Sequence, residues 1–306
     1  MKRGGGVVLH YLALSRAPHA ALDVAAPALA ALLWLDSLPP WRVILVGLLT
    51  AFAAYLAVYA LNDIAGCPSD REKIRIRIGR QDAAAYLDDA LVRHPLALGL
   101  LKKRQAVAWM AFWGGVAIVG AVILNPVCLL IFLGGCAAEA VYCRLWCVTP
   151  LRALLSGVVK TLGPLAAVFA VDPRPPALPL ALLFLWVFLV EIGGQNIPAD
   201  WTDIEEDCRL QAVTIPVRLG ERRAGLLVLV SLTLGVLAQQ ALVWTLAGSH
   251  SLFVAGYSLA AGFGLLLLPG LRLRADLDRR SVIRLFNRAS YYPAALLAGA
   301  AAQLLF

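Results

Sequence analysis

The sequence predicts an all-α integral membrane protein, a bundle of nine transmembrane helices with two Asp-rich cytoplasmic loops. Three observations point there. Hydrophobic residues make up 61% of the 306 and charged ones only 15%, where a soluble domain carries about 25% charge. Mean hydropathy is +0.78. The apolar residues are gathered into windows of about 20, the length an α-helix needs to cross the hydrocarbon of a bilayer.

Taken in order, the windows fall at roughly 18 to 37, 42 to 61, 106 to 124, 126 to 142, 151 to 172, 177 to 196, 222 to 246, 251 to 269 and 289 to 305. Residues 1 to 17 read as a retained cytoplasmic lead-in, because His10 and Arg16 interrupt any signal-peptide core. With the N-terminus inside, the Lys and Arg fall almost entirely on one side. Only Arg42 and Arg174 sit opposite, and Lys160 lies within a span. Positive residues accumulate on the cytoplasmic side, so the expected orientation is N-terminus in and C-terminus out, in a membrane of the bacterial inner type. Membrane lipid accounts for the net charge of +8, and no nucleic acid and no protein partner are expected.

The six cysteines form no Cys-x-x-Cys pair and read as small apolar fillers in a reducing compartment. The segment "RLRADLDRRSVIRLFNRAS" after the eighth span alternates charge in the manner of an amphipathic helix at the headgroups. One domain is expected over residues 1–306.

Two longer connections, 62 to 105 and 197 to 221, hold much of the polar chemistry. Both begin alike, as an apolar helix running into an Asn and then acids: "VYALNDIAGCPSDREK" from 58 to 73 and "EIGGQNIPADWTDIEED" from 191 to 207. Residues three or four apart share a helical face. In a continuous helix Asn196, Asp200, Asp203 and Asp207 therefore form one stripe, while Glu205 and Glu206 fall off it. In the first copy Asn62 and Asp70 are nearly aligned, Asp63 is adjacent, and the intermediate position is Gly66. Aligned carboxylates repel unless a cation sits between them, and hard oxygen ligands of this kind suit Mg²⁺, which also borrows phosphate oxygens. Two such stripes facing each other would hold a magnesium diphosphate. Arg71 and Lys73, directly after the first motif, carry the charge a diphosphate requires. Lys160, inside an apolar segment, calls for an anion or a route to the surface. Tyr142, at the end of the fourth span, offers a hydroxyl to the same pocket.

These residues resemble the UbiA superfamily of intramembrane prenyltransferases, whose hallmarks are Asn-x-x-x-Asp-x-x-x-Asp after the second helix and Asp-x-x-x-Asp after the sixth. "NDIAGCPSD" keeps Asn62 and Asp70, "DWTDIEED" supplies Asp203 and Asp207 with Asp200 before them, and "VTIPVRLG" from 213 to 220 is similar to the family's usual sequel. "RHPLALGLLKKRQA" from 93 to 106 and "SRAPHAALDVAAPAL" from 15 to 29 extend the likeness over nearly the whole chain. Two departures stand out: Gly66 replaces the middle aspartate of the first motif, and an insertion over 71–93 precedes the His-Pro-Leu segment.

The resemblance implies a prenyl diphosphate bound through Mg²⁺ and a prenyl group passed to an acceptor, with an aromatic acid of the 4-hydroxybenzoate or naphthoate type expected first. Glycerol ether lipid or phosphoribosyl chemistry is the alternative inside the superfamily. It implies Asn62, Asp70, Asn196, Asp200, Asp203 and Asp207 as magnesium ligands, direct or through water. Arg71, Lys73 and Lys160 would meet the diphosphate, with Tyr142 and Asp63 lining the same pocket. An aspartate of the second motif (Asp200, Asp203 or Asp207) would act as base. An ion-coupled transporter is the rival from another class, but its site would lie at the midplane on broken helices. A CDP-alcohol type phosphatidyltransferase lacks its Asp-Gly-x-x-Ala-Arg run here.

Overall fold

A computed structural model describes residues 6–77, 87, 91–246 and 251–304. Part of the first long connection, 78–86 and 88–90, lies outside the described residues. Among those described there is no strand. The helices are α1 (Val7–Leu14), α2 (Ala17–Asp23), α3 (Ala25–Leu35), α4 (Trp41–Arg77), α5 (Lys103–Leu124), α6 (Pro126–Arg144), α7 (Arg152–Val171) and α8 (Ala177–Glu191). After a π-turn at Ile192–Asn196 come α9 (Ile197–Thr202), α10 (Ile204–Arg209), α11 (Ile215–Leu219), α12 (Glu221–Leu246) and α13 (Ser251–Gly262). A second π-turn, Phe263–Leu267, leads to α14 (Leu268–Asp276), and α15 (Arg279–Gln303) ends the bundle.

Among the described residues, eight helical stretches are long and apolar enough to cross a membrane: Ala17–Leu35, Trp41–Ile76, Lys103–Leu124, Pro126–Arg144, Arg152–Val171, Ala177–Thr202, Glu221–Leu246 and Leu252–Asp276. The expected ninth is the C-terminal part of α15, and that helix falls outside the set. The part of the helix after Arg288 is short and holds Ser290, Tyr291, Tyr292, Pro293 and Gln303, which lower its hydropathy. Its first turns are amphipathic as expected, with Val282, Ile283, Leu285 and Phe286 buried and Arg279, Arg280 and Arg284 exposed. They continue directly into the apolar part of the helix, however, and do not form a separate element.

The packing order follows the chain. Helix α4 lies against α5 and α6, α6 against α7, α7 against α3 and α8, and α8 against α12; α15 closes the ring between α13 and α3. The main core lies mostly on the second half of the chain and takes in α3, with Leu29, Trp186, Leu232, Leu285 and Tyr292 among its residues. A smaller core of Leu14, Ala60, Leu96, Leu101 and Ala106 holds α1 and the segment after residue 91 against α4 and α5. Trp109 Nε1 donates to Ser15 Oγ at 2.8 Å and Ser15 Oγ donates to the Leu56 carbonyl at 2.9 Å, which ties the lead-in down. The outward faces carry exposed Leu45, Phe112, Ile123, Leu130 and Leu237. Such a belt is costly in water and suited to lipid.

Candidate active site

The site is set by a difference in length. Helix α4 has 37 residues, about 55 Å at 1.5 Å per residue, against a hydrocarbon layer of about 30 Å. Counted from Trp41, Asn62 falls at the edge of that layer, and the turns carrying Asp70 and Lys73 project beyond it. The first motif is therefore helical throughout, where a loop was expected. The Arg, Glu and Lys of "SDREKIR" are good helix formers, and Pro68 is absorbed within the helix.

The second motif departs from the expected continuous helix in two places. Ile197 N–H donates to the Ile192 carbonyl, which closes a π-turn, and Pro198, which has no N–H to give and whose ring would crowd an α-helical carbonyl, follows directly. Gly193 and Gly194 let this turn pack closely against α12 and α15. A Cβ at 193 would come within 2.9 Å of the Val228 carbonyl oxygen, and one at 194 within 2.8 Å of Ala289 Cβ. Helix α9 then stops at Asp203 (φ −104°, ψ 11°) and α10 begins. Asp200 and Asp207 are buried, Asp203 is half-buried, and Glu206, expected off the stripe, is buried as well.

Lys73 joins the two motifs. Its Nζ lies 3.0 Å from Asp203 Oδ2 and 2.8 Å from Asp207 Oδ1, over the ring of Trp146 at 5.0 Å. Burial pushes the Asp207 carboxyl up to about 6, against the pull of Lys73. Asp200 is held by the Arg152 guanidinium, which also lies 4.6 Å from the Tyr142 ring centre. Asn196 Nδ2 donates to Tyr142 Oη at 3.0 Å, and its Oδ1 is buried without a hydrogen-bond partner among the described residues. Asn62 Nδ2 donates to Glu139 Oε1 and approaches Cys143 Sγ at 3.6 Å.

Around the first motif a histidine from the far end of the insertion comes in. His94 Nδ1 is 3.2 Å from Asp63 Oδ1 and 3.0 Å from Asp70 Oδ2. Burial opposes the charged imidazole, but hydrogen bonds to the two carboxylates outweigh it and hold His94 above its ordinary value. Arg71 is exposed and has no ion-pair partner among the described residues.

Asn62, Asn196, Tyr142 and Lys160 line a cavity of about 550 Å³ that runs from the motif end into the bundle between α3, α4, α6 and α7, with a largely apolar wall. Inside it Lys160 Nζ is 2.8 Å from Asp23 Oδ1, 3.0 Å from Gln195 Oε1 and 3.9 Å from Glu191 Oε2. Tyr59 donates to Asp23, and Ser156 donates to Glu191 at 2.9 Å. Lys160 is thus apart from the motif aspartates.

Of the residues singled out in the sequence, Lys73, Asp203 and Asp207 come together, as do Asp63 with Asp70 and Asn196 with Tyr142. Arg152, His94, Glu139, Asp23, Glu191 and Gln195 were not singled out. For Glu191 and Asp23 the signal was present, since each is an acid inside an apolar run.

Fold and site together define a membrane protein with a cluster of carboxylates and cations at the mouth of an apolar cavity. A family model for the UbiA prenyltransferase family matches residues 24–291, so the chain belongs to that family and is a prenyltransferase. Among solved structures, it is similar to an apo UbiA homologue from Aeropyrum pernix K1, at 20% identity with a TM-score of 0.73, over 92% of this chain and 96% of that one. It is also similar to a UbiA homologue from Archaeoglobus fulgidus bound to GPP and Mg²⁺, at 17% identity and TM-score 0.69, over 97% and 100% of the two chains. A digeranylgeranylglyceryl phosphate synthase aligns at 16% identity and TM-score 0.64, over 99% and 100%. No curated protein matches the sequence. The family and the eight apolar helices make it an integral membrane protein.

Proposed function

We propose that this prenyltransferase moves the prenyl group of a prenyl diphosphate, with Mg²⁺, to an aromatic acceptor of the hydroxybenzoate or naphthoate type inside the membrane. The observation that carries this reading is the joining of a carboxylate cluster to an apolar cavity of about 550 Å³ through residues of both motifs, Asn62 and Asn196. That volume lies in the range of small-molecule sites and suits a prenyl chain beside one ring. The structural relatives bound to prenyl diphosphate and Mg²⁺ support the donor half.

The residues present fit such a cation. Asn62, Asp70, Asn196, Asp200, Asp203 and Asp207 offer hard oxygen donors, and the buried Asn196 Oδ1 lacks a hydrogen-bond partner among the described residues. Lys73 stands as a positive charge between Asp203 and Asp207, which supports a place for a cation beside this pair. Magnesium, when bound, supplies positive charge to the diphosphate as its bond to the allylic carbon breaks.

The chain's own groups do the rest. Lys73 is placed to meet the departing diphosphate oxygens once the carboxylates turn to the cation, and Arg71 directly follows Asp70 of the first motif. The apolar wall receives the prenyl chain and keeps water from the electron-poor allylic carbon. Tyr55 and Tyr59, stacked 6.5 Å apart, offer ring faces to that charge along the cavity. Lys160, held in place by Asp23 and Gln195, meets the acceptor's acidic group. A carbon–carbon bond then forms at the ring, and the displaced ring proton passes to a carboxylate of the second motif. In this reading the motif end and the N-terminus are cytoplasmic, α15 provides the ninth span, the C-terminus lies outside, and residues 1–306 act as one domain.

The test supplies purified protein with a labelled prenyl diphosphate, Mg²⁺ and a panel of acceptors. Prenylated hydroxybenzoate or naphthoate is expected. Product on a glycerol ether lipid alone would replace the acceptor. Uptake into liposomes with no prenylated product would favour a transporter.

A further inference from the structure

We propose that His94 is a metal ligand. With Asp63 and Asp70 it completes the first-motif cation site that Gly66 leaves short, and it gives that site a preference for a borderline ion such as Mn²⁺ over Mg²⁺. The proposal rests on the diphosphate reading for its use in catalysis, although the binding itself can be measured without substrate.

One ligand atom each from Asp63, Asp70 and His94 lies within 4.8 Å of the others. Ligands at about 2.0–2.2 Å from a shared ion stand no more than about 4.4 Å apart, so small side-chain rotations suffice. A second observation points to a cation. Asp63 is buried, and while its Oδ1 faces His94 its Oδ2 has no hydrogen-bond partner among the described residues. A buried carboxylate oxygen left bare is costly, and a metal ion would satisfy it.

Gly66 and His94 are complementary departures. A Cβ at 66 would stand 3.2 Å from Asp70 Oδ2, so the absent side chain leaves room for the Asp70 carboxylate to lie back along its own helix. From there it faces His94. An aspartate at 66 would crowd that position, so the chain has exchanged an oxygen ligand on α4 for a nitrogen ligand from the segment after the insertion. His94 holds φ at 54°, a left-handed conformation that costs a non-glycine residue energy, and this turns the ring toward the carboxylates ahead of Pro95.

Beside Asp63 and His94 is a small pocket of about 10 Å³, which Arg16 and Arg93 also line. It has room for about one water-sized particle. The guanidinium groups oppose a bare dication but favour one that carries phosphate oxygens. The site is therefore built for a cation shared with a diphosphate. Binding requires a neutral imidazole, with Nδ1 on the ion and the proton on Nε2. Nitrogen in place of oxygen moves preference from Mg²⁺ toward ions such as Mn²⁺.

The experiment uses the full chain in detergent, stripped of metal and titrated with Mn²⁺ alone. Pulsed electron paramagnetic resonance should show the nitrogen coupling of a directly bound imidazole. His94→Gln should abolish that coupling and weaken Mn²⁺ at least about tenfold, as losses around metal sites do. His94→Asp should bind Mn²⁺ without the nitrogen coupling and recover Mg²⁺ affinity. Should His94→Gln fail to fold, His94→Asp read by the same spectrum decides. A wild-type spectrum without nitrogen coupling, or one that persists in either variant, overturns the proposal. Prenyl transfer absent with the nitrogen signal intact would instead count against the proposed function.

Discussion

The two motifs begin with the same residue pattern but are built differently. The first lies on one unbroken helix, where Gly66 removes a side chain and a histidine arrives from outside. The second lies on a helix broken twice, at the π-turn Ile192–Asn196 and at Asp203, and its acids are held by cations from other helices. The difference shows that helical phase alone does not decide which carboxylates meet. In α4 the partners of Asp63 and Asp70 come from a segment more than 20 residues on. In α9 and α10 the breaks let Asp200 face Arg152 while Asp203 and Asp207 face Lys73. Both arrangements hold negative charge beside a positive group, so substitution can show which of them the chemistry needs.

The largest effect is expected at the bridge between the motifs. Lys73→Met should lower turnover on the order of a hundredfold, since it removes a preorganised charge at the leaving group. The same change leaves Asp203 and Asp207 without their shared cation. Mg²⁺ should then raise the melting temperature of Lys73→Met more than that of the wild type, as ligand linkage requires.

Arg152→Leu comes next, because it strands Asp200 in a buried position. A loss of about 3–5 kcal/mol is expected, read as a lowered thermal midpoint in detergent, and Arg152→Lys should recover part of it. Tyr142→Phe removes the acceptor of the Asn196 amide and should cost about 1–2 kcal/mol. No loss of stability in Tyr142→Phe would show that the amide turns to another partner.

The smallest effect concerns the first motif in metal-free protein. Its histidine is held above the ordinary value, so the stabilisation from its carboxylate contacts is fully present below about pH 6.5. It is lost as pH rises through the higher folded value. Melting temperatures of wild type and His94→Gln in chelator should therefore differ more at pH 6 than at pH 9. An equal gap at both would mean that the contact carries no charge.

Much of this was legible in the sequence. Hydropathy windows found eight of the helices, five of them to within a few residues, while the second, sixth and eighth ended short of Ile76, Thr202 and Asp276. Asn and Asp spacing picked out both motifs, and Tyr142 was marked by its place at the end of the fourth span. The ninth window lost definition because the part of α15 after Arg288 is short and holds Ser290, Pro293 and Gln303 among its apolar residues. The polar connections read as loops since charge was taken to mean loop, yet Arg, Glu and Lys extend a helix readily. The breaks in the second motif leave only indirect marks, Gly193-Gly194 and Pro198, because a periodicity argument assumes one helix. Arg152 was counted only as a cytoplasmic charge, and its contact with Asp200 depends on how α7 packs beside α9. His94 was hidden for a similar reason, since its approach to Asp63 and Asp70 spans an insertion whose path no local pattern sets.

The carboxylates at the cavity mouth are expected to carry the diphosphate chemistry. The most direct test is Mg²⁺-dependent release of diphosphate from a labelled prenyl diphosphate by wild type, Asp203→Ala and Asp207→Ala, each shown to be folded by its melting curve in detergent. Release by the wild type that stops on chelation is expected, with none above background from either variant. Undiminished release from both folded variants would contradict it.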